Sequence, residues 1–160
     1  MMYILIFLWA LFIVAVLAIY LKRAFCSDTS FEFQNFEAVE IPYVTIDIQG
    51  NLLNMLVDTG CAVSMLTKYA LDNSEMLYKK SGRNVALSAV TSDTVNAEGI
   101  TIEFNVGRKT VSEDFFIHDA DDFGNFMAMH NIQLHGILGS SFFDKNNCQI
   151  DFKHHTLNVL

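Results

Sequence analysis

The sequence predicts an all-β domain, a small closed barrel with one short helix, set behind a single membrane-spanning helix. Three observations carry this reading. Apolar residues alternate with polar ones at period two in several short runs, turn residues punctuate those runs, and the stretch from Met2 to Leu21 holds no charge.

The elements follow in chain order. The uncharged run measures about 30 Å as a helix, enough to span a bilayer. Trp9 and Tyr20 are aromatic and suit interface anchoring. A cleaved signal peptide wants a basic start and a shorter apolar core, so an anchor fits better. Lys22 and Arg23 follow the run directly, and the positive-inside rule then places the rest of the chain in the cytoplasm. The expected organisation is a single-pass membrane anchor over residues 1–23, a juxtamembrane linker over 24–38 and one domain over 39–160. Phe31, Phe33 and Phe36 in the linker are expected to pack partly on the domain.

Within the domain, Val44, Ile46 and Ile48 alternate with Thr45 and Asp47, a half-buried strand. Gln49-Gly50-Asn51 turns it back into a strand from Leu52 to Val57. Val85, Leu87 and Ala89, then Val95 and Ala97, bracket a polar tip. Ile100, Ile102, Phe104 and Val106 alternate with polar residues, turn at Gly107, and pair with a strand from Val111 to Ile117. Pro42 sits at a strand start, where its missing N–H matters least. Phe126, Met129 and Leu134 form one face of a short helix. The acidic run from Asp119 fails as a calcium loop, because Phe123 and His130 occupy positions that need oxygen ligands.

Composition excludes some functions. The chain carries 10 basic and 18 acidic residues, a net charge of −8. Such a surface repels phosphate backbones, so nucleic acid is not an expected partner. Cys26, Cys61 and Cys148 are too few and too scattered for a disulfide framework and fit a reducing compartment. No pair among His118, His130, His135, His154 and His155 has ligand spacing, so no metal or other cofactor is expected.

The chemistry lies in Asp58-Thr59-Gly60, a carboxylate on a tight turn straight after the apolar Met55, Leu56 and Val57. Two such carboxylates about 3 Å apart share one proton, so that an acid and a base coexist near neutrality. A second turn of this kind is missing. Asp28-Thr29-Ser30 and Asp93-Thr94-Val95 lack the glycine, and Asp151 falls within a strand. The second Asp58 is therefore expected from another copy of the chain, across a two-fold axis.

The run IPYVTIDIQGNLLNMLVDTG resembles the opening hairpin and catalytic loop of the retropepsin family, the retroviral-type aspartic proteases. GITIEFNVGRKTVSEDFFI is similar to the hairpin behind that family's flap, HGILGSSFF to the turn into its short helix, and NCQIDFKHHTLNVL to its terminal strands. The resemblance implies a homodimeric retropepsin-type barrel that hydrolyses polypeptides with water held between two Asp58 carboxylates. It further implies that Thr59 braces the two loops across the dimer and that Gly60 permits the turn. Ala62, Val63 and Ile137 are the implied substrate contacts, with a flap tip at Ser88, Ala89, Val90 and Thr91. The apolar residues 156–160 are implied to pair across the axis. Two departures stand out: the flap tip has no glycine, and Cys61 follows the triplet where the family has Ala or Ser. The alternative is a non-catalytic dimerisation or binding module on the same fold.

Overall fold

A computed structural model describes residues 29–88, 94–118 and 131–160, with the isolated positions 9, 12–14 and 16, and the structural statements below concern these. The fold is mostly β, with short helices. Ten strands run in the order β1 (Ser30–Glu32), β2 (Tyr43–Ile48), β3 (Asn51–Val57), β4 (Ser64–Thr67), β5 (Tyr78–Ser88), β6 (Thr94–Val106), β7 (Lys109–His118), β8 (Gly136–Leu138), β9 (Cys148–Asp151) and β10 (Thr156–Val159). Three helices of four to six residues interrupt them: α1 (Phe36–Val39), α2 (Lys68–Asp72) and α3 (Ser140–Lys145).

Two expectations are corrected. A span needs about twenty consecutive apolar residues. Among the described residues no helix is long and apolar enough to cross a membrane. Of the run from Met2 to Leu21 only positions 9, 12–14 and 16 are described as helical, and the remainder lies outside the described residues. The anchor and the single-pass cytoplasmic placement drawn from it fall together. Nor do the strands close into a ladder-bonded barrel. They form a seven-stranded sheet in the order β2-β3-β8-β4-β7-β6-β5 and a separate three-stranded sheet in the order β1-β10-β9. The larger sheet curls until Gln49, at the end of β2, donates to the Glu103 carbonyl of β6 at 2.9 Å, but β2 and β5 remain its edges.

Local chemistry accounts for the elements. The β2–β3 hairpin closes through Gln49 and Gly50, both with positive φ (55° and 85°), the backbone of a primed two-residue turn. Asp47 accepts the Gly50 N–H at 2.6 Å, and the Gln49 side chain bonds the backbone of Leu77 in both directions. Those bonds hold a glutamine where glycine or asparagine is usual. Inward-facing Ile46, Met55, Leu66, Ile102, Phe115, Leu138 and Phe142 build the core. Residues 30–38, read from the sequence as linker, lie in β1 and α1 and include the buried Phe33. The helix expected around Phe126 and Met129 lies outside the described residues.

The C-terminal strand is placed differently from expectation. β10 pairs with β1 on one edge and β9 on the other, with Phe31, Leu157 and Ile150 in register. Leu157 and Val159 are fully buried. Both hydrogen-bonding edges of β10 are thus satisfied within one chain, and none remains to pair across an axis.

His135 ties β3 to the end of β4. Its Nδ1 accepts the Asn54 N–H at 2.9 Å, its own N–H reaches the Asn54 carbonyl, and its carbonyl accepts from Thr67 N. Burial lowers the imidazole pKa below the usual histidine value, because the accepting Nδ1 sits in a partly dry site. The unfolded chain therefore takes up a proton that the folded chain resists. This contribution to stability is present above about pH 6.5 and lost on acidification through the folded pKa. Urea midpoints of the wild type are expected to fall relative to those of His135→Gln as pH drops from 7 to 5. Parallel curves would show that His135 is not the group responsible.

Candidate active site

The turn bearing Asp58 is built by topology. β3 and β4 are joined by residues 58–63, yet they are not neighbours in the sheet. β8 lies between them, parallel to β3 and antiparallel to β4. The 58–63 loop must therefore arch over the end of β8, where the chain passes through Gly139 into α3.

Hydrogen bonds fix that crossing. Asp58 N donates to the Leu138 carbonyl at 3.1 Å, continuing the ladder one residue beyond Val57. Ser140 N donates to the Cys61 carbonyl at 2.8 Å, and Ser141 N to the Ala62 carbonyl at 3.3 Å. The first amides of a helix lack partners in their own backbone. Here the loop's carbonyls satisfy them, so α3 and the turn stabilise each other. The Ser140 hydroxyl adds a bond to the Cys61 carbonyl at 3.1 Å.

Gly139 is required by contact. A Cβ there would lie 2.3 Å from the Val63 carbonyl oxygen. Gly139→Ala is expected to push the loop off α3 and to lower stability by about 1–3 kcal/mol, as overpacking does. A denaturation midpoint equal to wild type would show that the crossing has slack.

Asp58 itself is half-buried, with Thr59, Gly60 and Ala62 exposed and Val63 half-buried. Its Oδ1 accepts the Gly60 N–H at 2.8 Å, and its carbonyl accepts from Cys61 N at 3.3 Å. A Cβ on Gly60 would stand 3.1 Å from that same Oδ1, tighter than ordinary contact. Glycine at this position thus lets the amide reach the carboxylate, and no unusual φ is involved. The Cys61 thiol is held to the Val63 carbonyl at 3.1 Å. Burial pushes it up, the Val63 bond opposes this and the Asp58 charge adds to it, so the thiol stays protonated near neutrality and is a poor nucleophile.

No protein-family model matches the chain, and no curated protein sequence matches it. Solved structures do resemble it. The retroviral protease-like domain of Ddi1 from Leishmania major is 17% identical, covers 73% of this chain and 86% of its own, and gives a TM-score of 0.47. A retropepsin-like aspartic protease from Rickettsia conorii is 16% identical over 81% of this chain and 87% of its own, at a TM-score of 0.48. The foamy viral protease-reverse transcriptase, solved with an RNA/DNA hybrid, is 12% identical over 66% of this chain and 12% of its own, at 0.42. The structural neighbours are thus retropepsin-like aspartic proteases.

The other expected site residues are scattered. Ile137 is buried at the centre of the sheet, paired with Leu56 and Met65. Ser88 ends β5 opposite Thr94, the first residue of β6. Ala89, Val90 and Thr91 lie outside the described residues. Among the described residues, no group of three His, Cys, Asp or Glu side chains is placed to hold a metal.

One residue at the site escaped sequence reasoning. Glu113 of β7 is buried directly beneath the turn and accepts from the Ser64 hydroxyl at 2.8 Å. Its signal was present, since Val111, Glu113 and Phe115 share one face at period two and the two apolar residues point that face inward.

Proposed function

We propose that the chain is one half of an aspartic endopeptidase, completed when a second copy brings its own Asp58 to a two-fold axis. The observation that carries this is the Asp58 turn, a carboxylate at the end of a buried strand, accepting the Gly60 amide and locked from behind by α3. Nothing in that arrangement supplies a nucleophile other than water. One Asp58 deprotonates the water while its protonated mate donates to the peptide carbonyl, with no covalent intermediate.

Exposure of Thr59, Gly60 and Ala62 in the single chain suits a surface that a second copy covers. Thr59 braces the partner's turn. Ala62 and Val63 offer apolar surface to substrate side chains, and Ile137 shapes the site from beneath. The β5–β6 hairpin, with Ser88, Ala89, Val90 and Thr91 at its tip, closes over a bound polypeptide and excludes water.

The test is peptide-library cleavage by the full chain across a wide range of chain concentration. Specific activity is expected to rise with concentration and to level off once the dimer is populated. Cleavage by a species shown to be monomeric would overturn the shared site.

A further inference from the structure

Beneath the turn lies a carboxylate that this mechanism does not use. Glu113 is 2% exposed. Its Oε1 accepts from the Ser64 hydroxyl at 2.8 Å and the Ser141 hydroxyl at 3.3 Å, and its Oε2 stands 4.0 Å from Lys145 Nζ. The Lys145 ammonium also donates to the Ser112 carbonyl. Ser64 spends its one hydroxyl proton on Glu113, leaving a lone pair that accepts the Gly139 N–H at 3.2 Å. Ser64 follows the turn directly, Gly139 precedes α3 and Ser141 lies in its first turn. Ser140 and Ser141 are the residues whose amides hold the Cys61 and Ala62 carbonyls.

We propose that Glu113 is a positioning residue for the Asp58 turn, its carboxylate drawing Ser64 and Ser141 together so that the turn seats on the N-terminus of α3. The proposal rests on reading Asp58 as the catalytic carboxylate. Were Glu113 apolar, both hydroxyls would lose their buried acceptor, and the Gly139 amide would lose the rotamer that receives it.

The charged and titratable groups facing Glu113 are few. Lys145 faces it from α3, Asp114 neighbours it on β7, and Cys148 lies at the start of β9 with its thiol pushed up, chiefly by burial, to about 11. Burial raises the Glu113 carboxyl above the usual range, against the Ser64 bond, the Lys145 charge and the Ser141 bond. The folded chain therefore holds the proton more tightly than the unfolded one. The stability this gives is full below about pH 4.5 and lost as pH rises through the folded pKa. A carboxylate that lowers stability at neutral pH is a poor structural choice, and the geometry it enforces is a reason to keep it.

The test compares Glu113→Gln, Glu113→Leu and Ser64→Ala in the full chain, reading kcat and KM separately alongside amide hydrogen exchange. Glu113→Leu is expected to speed exchange at Gly60, Ser140 and Ser141 by about tenfold, with β2–β3 amides unchanged. Its kcat is expected to fall on the order of 10–100-fold, with KM little moved. Glu113→Gln keeps the acceptor oxygen and is expected to restore kcat and exchange, and to lack the wild type's loss of stability between pH 4.5 and neutrality. Ser64→Ala is expected to repeat the Leu effects, and it decides the matter if Glu113→Leu does not fold. Wild-type kcat and exchange in Glu113→Leu or Ser64→Ala overturn the proposal, as does a Gln variant as damaged as the Leu variant. If the wild type cleaves no peptide, the protease reading fails, and the exchange data alone still decide whether Glu113 seats the turn.

Discussion

Asp58→Asn is expected to abolish peptide cleavage, by on the order of 10⁴-fold or more, while the fold stays intact. The substitution removes the base from one subunit and the acid from the other, and general acid–base catalysis alone contributes about 10²–10⁴-fold. Asparagine keeps the side-chain volume and an oxygen that can still accept the Gly60 amide. The turn also retains its backbone bonds to Leu138 and α3. Far-UV circular dichroism and the denaturation midpoint should therefore match wild type. Mixing the variant with wild type should depress activity below simple dilution, because mixed dimers hold one carboxylate. Undiminished turnover in Asp58→Asn would remove Asp58 from the mechanism and favour a non-catalytic module.

The second large effect concerns stability. Leu157→Ala is expected to cost about 2–5 kcal/mol, the usual range for a large-to-small change at a fully buried site. Against a typical total of 5–15 kcal/mol that is severe. Removing residues 157–160 should go further and abolish cooperative unfolding. It takes out most of the middle strand of β1-β10-β9, strips both neighbours of their ladder and opens the core at Leu157 and Val159. Urea titration followed by circular dichroism reads both variants. A truncated chain that unfolds cooperatively, and has merely become monomeric, would return β10 to the subunit interface.

How much of this was legible in the sequence follows from what kind of signal each element leaves. Period-two alternation located β2 and β6, because a strand with one buried face writes its burial pattern directly into the chain, and the turns at Gly50 and Gly107 led from them to β3 and β7. The β2–β3 turn was legible through Gly50. The triplet at Asp58 was legible through its surroundings, a carboxylate turn placed straight after the apolar Met55, Leu56 and Val57. Strand order was not. Nothing local at Gly136–Leu138 announces that this segment slots between β3 and β4, since parallel pairing is decided by partners far away. β10 misled for the same reason: its apolar residues were read as seeking a second chain when β1, hidden in a supposed linker, already covered them. Glu113 was passed over because a glutamate flanked by Ser112 and Asp114 reads as solvent-facing unless the face it shares with Val111 and Phe115 is counted. The apolar start of the chain suggested an anchor by hydropathy alone, which measures composition and leaves helix continuity untested.

The insertion of β8 between β3 and β4 also bears on when the site comes into being during synthesis. The carbonyls at Cys61 and Ala62 find their donors 78–79 residues further along the chain. Contacts of such separation form late, after a large loop-closure entropy has been overcome. Until β8 and α3 have been synthesised, the segment bearing Asp58 has β2 beside it on one edge only and no helix to rest on. On the proposed reading of Asp58, the turn that carries it takes its shape only once β8 and α3 have been made, and any hydrolytic activity waits on them.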